Sequence, residues 1–483
     1  MLLQHFFTPK IAHSSYLLAG SETCAIIDPR RDVQVYIEAA RAQGVRITHI
    51  LETHLHADFV SGHLELAERT GAAIYAPASA QCLFEHVPLA EGDIIQIEHL
   101  RLDVIETPGH TPEHVSYLVT DTTRSQEPVG VFCGDTLFVG DVGRPDLFPG
   151  RAQELAEALF HSLHAKLLRL PDFVEVYPAH GAGSLCGRSM GAKWTSTIGY
   201  ERRANAALSI ADRDAFIASL TTDMPPAPDH FARCSEINRQ GPPLVDQLPG
   251  MALLAPSAFQ ERLARGQTLA LDLRGYDAFC AQHIADSWHI GFPGNLPTFA
   301  GWVLPPEADI LLVADNVAQA EEARVWLRRV GLDRTVGYLD GGPSAWAAEG
   351  LPTARVRLIS VHELHERVTG DEHLTLVDVR APAEFAERHI QGAINIPGPE
   401  LRTRHAELDP GQPIYLVCST GNRSGMAASI LQQNGFEQVY NVAGGMTGYS
   451  AAGYSQRCSV CVNPHGPKTL VFYDPTLLSA HSS

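Results

Sequence analysis

The chain has 483 residues, 45% of them hydrophobic and 19% charged, enough apolar material for about three packed domains. Thirty-six basic against 55 acidic residues leave a net charge of −19, which argues against nucleic acid or an anionic membrane as the main partner. No apolar run reaches the length of a membrane span, Met1 to Lys10 lacks the pattern of a signal peptide, and nine scattered cysteines do not read as a disulfide framework, so a cytoplasmic setting is expected.

To about residue 220 the pattern is short strands, polar loops and helices. Strands are predicted at Ser15–Leu18, Cys24–Ile27, Ile47–Leu51, Ala73–Tyr75, Ile94–Ile97, Leu102–Ile105, Val115–Val119, Val129–Cys133 and Phe173–Tyr177. Helices are predicted at Val33–Ala42 and Gln153–Leu170, the second from Leu155, Leu159, Leu163 and Leu167 at every fourth position. Just after the Ile47–Leu51 strand comes His54-Leu55-His56-Ala57-Asp58-Phe59-Val60-Ser61-Gly62-His63. His110, Asp135 and His180 each follow a later strand in the same way. One such residue alone reads as a surface or hydrogen-bonding group; all of them at strand ends point to metal. His63 reads as a capping or packing residue.

Residues 222–250 are rich in proline and polar groups and read as linker. Beyond them the sequence repeats: Asp272 to His283 and Asp378 to His389 have the same spacing, and Gly341-Gly342 answers Gly444-Gly445. Two related α/β domains are expected, over 251–355 and 356–455, with a turn-rich tail over 456–483. In the second repeat Cys418-Ser419-Thr420-Gly421-Asn422-Arg423-Ser424 follows the strand Ile414–Val417. Loop N–H groups and a helix N-terminus there stabilise a thiolate, and Arg423 adds positive charge for thiosulfate or sulfite. In the first repeat Ala314 stands where Cys418 does and Gln319 where Arg423 does, so no persulfide forms there. Cys280 reads as core. In the tail, Cys458 and Cys461 make a lone Cys-x-x-Cys with only His465 nearby, which reads as a redox-active or inert segment rather than a metal site.

His-x-His-x-Asp, Pro108-Gly109-His110-Thr111, Gly134-Asp135-Thr136 and Pro178-Ala179-His180 together resemble the metallo-β-lactamase superfamily. Gly134-Asp135-Thr136-Leu137-Phe138-Val139 with Gly143-Arg144-Pro145-Asp146-Leu147 resembles its persulfide dioxygenases, over 1–221. That resemblance implies an αββα sandwich with one Fe(II) per chain, held by His54, His110 and Asp135. It also implies that His56, Asp58 and His180 orient those ligands, and that Arg144 contacts the substrate unless it pairs with Asp146 or Asp141. Two imidazoles and a carboxylate suit non-haem Fe(II) and leave positions for two reactants. Dinuclear members of the superfamily carry histidine where this chain has Phe59, and phenylalanine does not ligate, so one metal is favoured. Glutathione-using relatives have Asp-Tyr where Gly181-Ala182 stand, which leaves the thiol open among glutathione, coenzyme A and other small thiols.

The Cys418 loop with Asp378-Val379-Arg380 and Gly444-Gly445 resembles a rhodanese. Four residues separate Cys418 from Arg423, against five in related phosphatases, and the shorter loop suits sulfane sulfur. The whole order resembles fusions of a persulfide dioxygenase with an inactive central and an active final rhodanese. The implied partners are a low-molecular-weight thiol persulfide, O2, and sulfite or thiosulfate; a homo-oligomer is compatible with the sequence. Two other readings stay open at this point: a zinc thioester hydrolase of the glyoxalase type fused to a rhodanese, and a non-catalytic sulfur carrier or sensor.

Overall fold

A computed structural model describes residues 1–222, 224–292, 294–370 and 374–454. Cys458 and Cys461 lie outside the described residues. The chain divides into two compact units, Met1–Ala354 and a second that begins at Arg355.

The first unit opens with two six-stranded sheets packed face to face. One runs, in order, Leu2–Thr8, His13–Ala19, Thr23–Ile27, Arg46–Leu51, Ala73–Pro77 and Val87–Leu89. The other runs Ser196–Thr197, Glu175–Pro178, Gly130–Gly134, Val115–Asp121, Leu100–Glu106 and Ile94–Ile97. Alternation along the strands sets which side chains face inward: Leu100, Leu102 and Val104 with Val115, Tyr117 and Val119 meet Tyr16, Leu18, Ala25 and Ile27 in the central core. The opposite faces are covered by helices. Leu17, Ala19, Cys24 and Ile26 pack on Tyr36, Ala40 and Leu66, while Val131, Cys133, Val174 and Val176 pack on Leu159, Leu163, Leu167 and Phe216. These four layers are the αββα sandwich expected from the resemblance.

The segment predicted as one helix over 153–170 is an α-helix at Ala152–His161, a π-helical turn at Ser162–Lys166 and a 3-10 turn at Leu167–Arg169. A four-residue repeat overshoots an α-helical turn by about 40° at each step. The wider turn brings Leu163 and Leu167 back to the face that Leu155 and Leu159 bury. The first strand, Leu2–Thr8, and the short Val87–Leu89 were not foreseen. Inside the stretch read as linker, His230–Gln240 is helical and buries Phe231, Cys234 and Asn238, so this part belongs to the body rather than to a spacer.

The two repeats share one parallel topology. The first has strands Ala252–Leu254, Thr335–Leu339, Asp309–Val313, Thr268–Asp272 and Trp288–His289 in that spatial order. The second has Arg357–Ile359, Val439–Val442, Ile414–Val417, Thr375–Asp378 and Ile394–Asn395. Asp272 is paired with Val313 just as Asp378 is paired with Val417, which fixes Ala314 as the structural counterpart of Cys418. Cys280 is buried on the helix Tyr276–Ala281. Among the described residues no helix is long and apolar enough to cross a membrane.

Candidate metal centre and sulfur-transfer loop

His54, His110 and Asp135 converge from three strand ends, after Arg46–Leu51, Leu100–Glu106 and Gly130–Gly134. Nε2 of His110 is 3.4 Å and Nε2 of His54 3.8 Å from Oδ2 of Asp135, and all three side chains are buried. The tautomers follow from their partners. Nδ1 of His110 donates to the carbonyl of Arg144 at 2.9 Å, so Nε2 keeps its lone pair. The Thr53 hydroxyl donates to Asp28 and accepts from Nδ1 of His54 at 2.9 Å, which leaves Nε2 of His54 with its lone pair too. Both Nε2 atoms are buried without a hydrogen-bond partner. Burial first, and neighbouring imidazoles second, push His54 well below the usual histidine range; burial also lowers His110, against the pull of Asp135. Neutral imidazoles with orphaned lone pairs beside a carboxylate fit a divalent metal, whose ligand atoms at about 2.1 Å would stand roughly 3.0–3.4 Å apart.

His180 lies between two carboxylates, with Nδ1 2.8 Å from Oδ1 of Asp135 and Nε2 2.8 Å from Oδ2 of Asp58. Burial opposes its charge, yet Asp135 and Asp58 hold it well above the ordinary histidine range. Burial likewise works against ionised Asp135, but the His180 charge and hydrogen bond keep that carboxyl below the usual range. His56 presents Nε2 to two carboxylates, 3.2 Å from Oδ1 of Asp28 and 3.8 Å from Oε2 of Glu52, and its Nδ1 is buried without a hydrogen-bond partner. Three ligand-type groups therefore form among the described residues: His54 with His110 and Asp135, Asp58 with His180 and Cys186, and Asp28 with Glu52 and His56. Phe59 is fully buried, 4.1 Å from the His13 ring and 4.4 Å from the His56 ring by centroid. His63 stacks on Phe84 and lies 3.3 Å from Glu52, a packing role.

Arg144 makes the pairing with Asp146 that was the alternative to a substrate contact. Its buried guanidinium grips Asp146 through Nε and Nη2, both at 2.7 Å, and donates further to the carbonyls of Leu185 and Pro225. With those donors committed, it shapes the loop whose carbonyl orients His110.

Several supporting residues escaped the sequence reading. His114 stacks on His54 at 4.8 Å and accepts the N–H of Asp135 through Nε2. Its four-residue spacing from His110 was the available signal. Gly134, at φ +48°, makes this approach feasible, since a Cβ there would lie 2.3 Å from Nε2 of His114. Thr53, Asp28 and Glu52 carried no recognisable pattern.

In the second unit Cys418 closes the Ile414–Val417 strand and is 1% exposed. The N–H of Gly421 and the hydroxyl of Ser424 approach its Sγ at 3.1 and 3.3 Å. The helix Asn422–Gln433 begins at the same loop. Gly445, at φ +51°, packs so tightly that a Cβ would stand 2.2 Å from the Cys418 carbonyl. Arg423, expected to add positive charge for the anion, is held beside the loop by Glu384 at 2.6 and 2.8 Å and by the Ser419 hydroxyl. In the first repeat Ala314, Gln319 and Ala278 occupy the places of Cys418, Arg423 and Glu384, and Gln319 folds back to accept the N–H of Asp315.

Residues 9–180 match the metallo-beta-lactamase superfamily, and residues 255–349 and 360–452 match the rhodanese-like domain. The chain is 31% identical over 221 residues to the mitochondrial persulfide dioxygenase ETHE1 of Bos taurus, covering 44% of this chain and 77% of that protein. It is 36% identical over 161 residues to a hydroxyacylglutathione hydrolase of Pseudomonas entomophila, covering 33% of this chain and 58% of that protein. A crystal structure of a metallo-beta-lactamase from Staphylococcus aureus superposes with a TM-score of 0.63 at 35% identity, over 70% of this chain and 98% of that one. The chain therefore belongs to the metallo-beta-lactamase superfamily, as a relative of the persulfide dioxygenases that carries two rhodanese-like domains after its sandwich.

Proposed function

We propose that residues 1–221 form a non-haem Fe(II) persulfide dioxygenase and residues 356–455 a rhodanese sulfurtransferase. The first reaction is RSSH + O2 + H2O → RSH + SO3²⁻ + 2H⁺. The observation that carries this reading is the convergence of buried His54, His110 and Asp135, with the Nε2 atoms of both histidines left without a hydrogen-bond partner. With Phe59 in place of a ligand, the donor set is two imidazoles and one carboxylate, the facial set of Fe(II) oxygenases.

Bound at His54, His110 and Asp135, ferrous iron would supply the activation of dioxygen. The protein's own part is orientation and charge. The Asp28–Thr53 chain holds the His54 ring, and the Arg144 carbonyl holds His110. Protonated His180 fixes the Asp135 carboxylate and ties it to Asp58. Oxygen uptake with a panel of small-thiol persulfides, sulfite being measured in parallel, tests the reading and ranks the thiols.

In the rhodanese, persulfidated Cys418 hands its outer sulfur to sulfite: the S–S bond breaks, an S–S bond forms to the sulfite sulfur, and Cys418 leaves as thiolate with thiosulfate as product. The N–H of Gly421 and the Ser424 hydroxyl stabilise that leaving thiolate. Run in reverse, thiosulfate charges Cys418. The first repeat has none of this apparatus. We expect Ala314→Cys, made in a Cys418→Ser background, to show no sulfurtransfer above background in a thiosulfate assay, because the cation at 319 and its acidic partner at 278 are also missing. Robust transfer from that variant would contradict the assignment.

The runner-up, a zinc thioester hydrolase, draws support from the hydroxyacylglutathione hydrolase match. A paired-metal hydrolase needs a histidine where this chain has Phe59.

A further inference from the structure

The inactive repeat lies in the same compact unit as the sandwich, and the loop bearing His54, His56 and Asp58 meets elements from outside the superfamily match at 9–180. Buried Asn238, on the helix His230–Gln240, uses its whole amide on that loop. Its Oδ1 accepts the N–H of Ser61 at 2.8 Å, and its Nδ2 donates to the carbonyls of His56 at 2.8 Å and Phe59 at 2.9 Å. Next to it, the N–H of Val60 donates to the carbonyl of Arg329, at the end of the repeat's helix Val317–Arg329, at 2.6 Å. Ser235 adds a bond to the carbonyl of Leu55.

The Arg329 carbonyl is itself anchored. The guanidinium grips Asp32 of the sandwich through Nε and Nη2 at 2.7 and 2.8 Å and lies 4.0 Å over the Trp326 ring. Arg233, from the same helix as Asn238, donates to the carbonyl of Val330, and Arg31 pairs with Asp333. Gly331, at φ +72°, lets the repeat approach closely: a Cβ there would stand 2.7 Å from Ile237 and 3.5 Å from Val60. Five backbone groups of residues 55–61 are thus held from outside the sandwich, beside the sandwich's own bonds from the Leu55 N–H to Glu113 and from the Ser61 hydroxyl to the Pro29 carbonyl. An exposed loop of this composition would sample many conformations.

We propose that the inactive rhodanese repeat and the helix before it brace the metal loop, with Asn238 and Arg329 as positioning residues for the metal ligands. The repeat lost its own chemistry, and what it retains is a rigid surface that fixes the loop on which His54 is carried. The proposal rests on the assignment of His54, His110 and Asp135 as ligands.

The test uses full-length protein stripped of metal and titrated with Co(II), with affinity and visible absorption bands as readouts. Asn238→Ala and Arg329→Met, each shown to be folded by circular dichroism and to keep thiosulfate sulfurtransfer at Cys418, should bind Co(II) about tenfold more weakly or worse and shift its bands. A purely structural role would lower the melting temperature and leave the affinity and bands of the folded protein as in the wild type; that outcome overturns the proposal. A defect in Asn238→Ala alone overturns the part given to Arg329 as a positioning residue. If Asn238→Ala does not fold, Asn238→Asp, which keeps the acceptor for the Ser61 N–H and removes the donors to His56 and Phe59, is read in its place with the same outcomes. Wild type that binds Co(II) tightly yet, with iron, consumes no O2 would end the dioxygenase reading without touching this one.

Discussion

His110→Ala and Asp135→Ala should each lower persulfide-dependent oxygen uptake by on the order of a thousandfold, because loss of one ligand removes several kcal/mol of metal and transition-state stabilisation. The two substitutions differ in what they leave behind. Without His110 the Arg144 carbonyl loses its partner, while Asp135 still holds His180. Without Asp135 the site loses its carboxylate, and His180 loses the first of the two groups that hold it above the ordinary histidine range. Asp135→Ala should therefore be the more damaging to metal retention, which metal analysis of the purified variants reads directly. Sulfurtransfer from thiosulfate should persist in both, since Cys418 lies in the second compact unit. Loss of both activities in either folded variant would show that the two sites are not separate.

Cys418→Ser should abolish sulfurtransfer and leave oxygen uptake within about twofold of wild type. A hydroxyl is far less nucleophilic than a thiolate at neutral pH and does not accept sulfane sulfur. The effect should be as large as the assay resolves, because the first repeat offers Ala314 and not a second thiol. Burial pushes Cys24, Cys82 and Cys234 up to about 12 and holds Cys133 and Cys186 above the usual thiol range, far from reactive thiolates. Residual transfer by Cys418→Ser would point to Cys458 or Cys461 in the tail as carriers.

The parts of this architecture that were legible in the sequence are those written in local pattern. Alternating apolar runs located most strands of both sheets, and histidines or aspartate just past those runs named the residues that converge. The repeat showed in Asp272 and Asp378, each buried and bound to the arginine two positions on. What stayed hidden arrives from far along the chain. Asn238 reaches the metal loop from 177 residues away, and Glu384 pairs with Arg423 across 39. Neither carries a motif, because an amide or a carboxylate looks the same in sequence whether it meets water or a buried backbone. Residues 230–240 read as linker for a related reason. The helix buries Phe231, Cys234 and Asn238, a stripe with only one large apolar side chain, and the flanking prolines dominate its composition. Arg144 was legible as one of two possibilities, substrate contact or ion pair, and the structure shows the ion pair with Asp146.

The central claim is that one iron at His54, His110 and Asp135 lets this chain consume oxygen while oxidising a persulfide. The most direct measurement takes anaerobically purified full-length protein, determines its metals, and follows oxygen and sulfite together after a small-thiol persulfide is added. The account predicts one iron per chain and one O2 consumed per sulfite formed. Two zinc ions per chain, thioester hydrolysis and no oxygen uptake would contradict it.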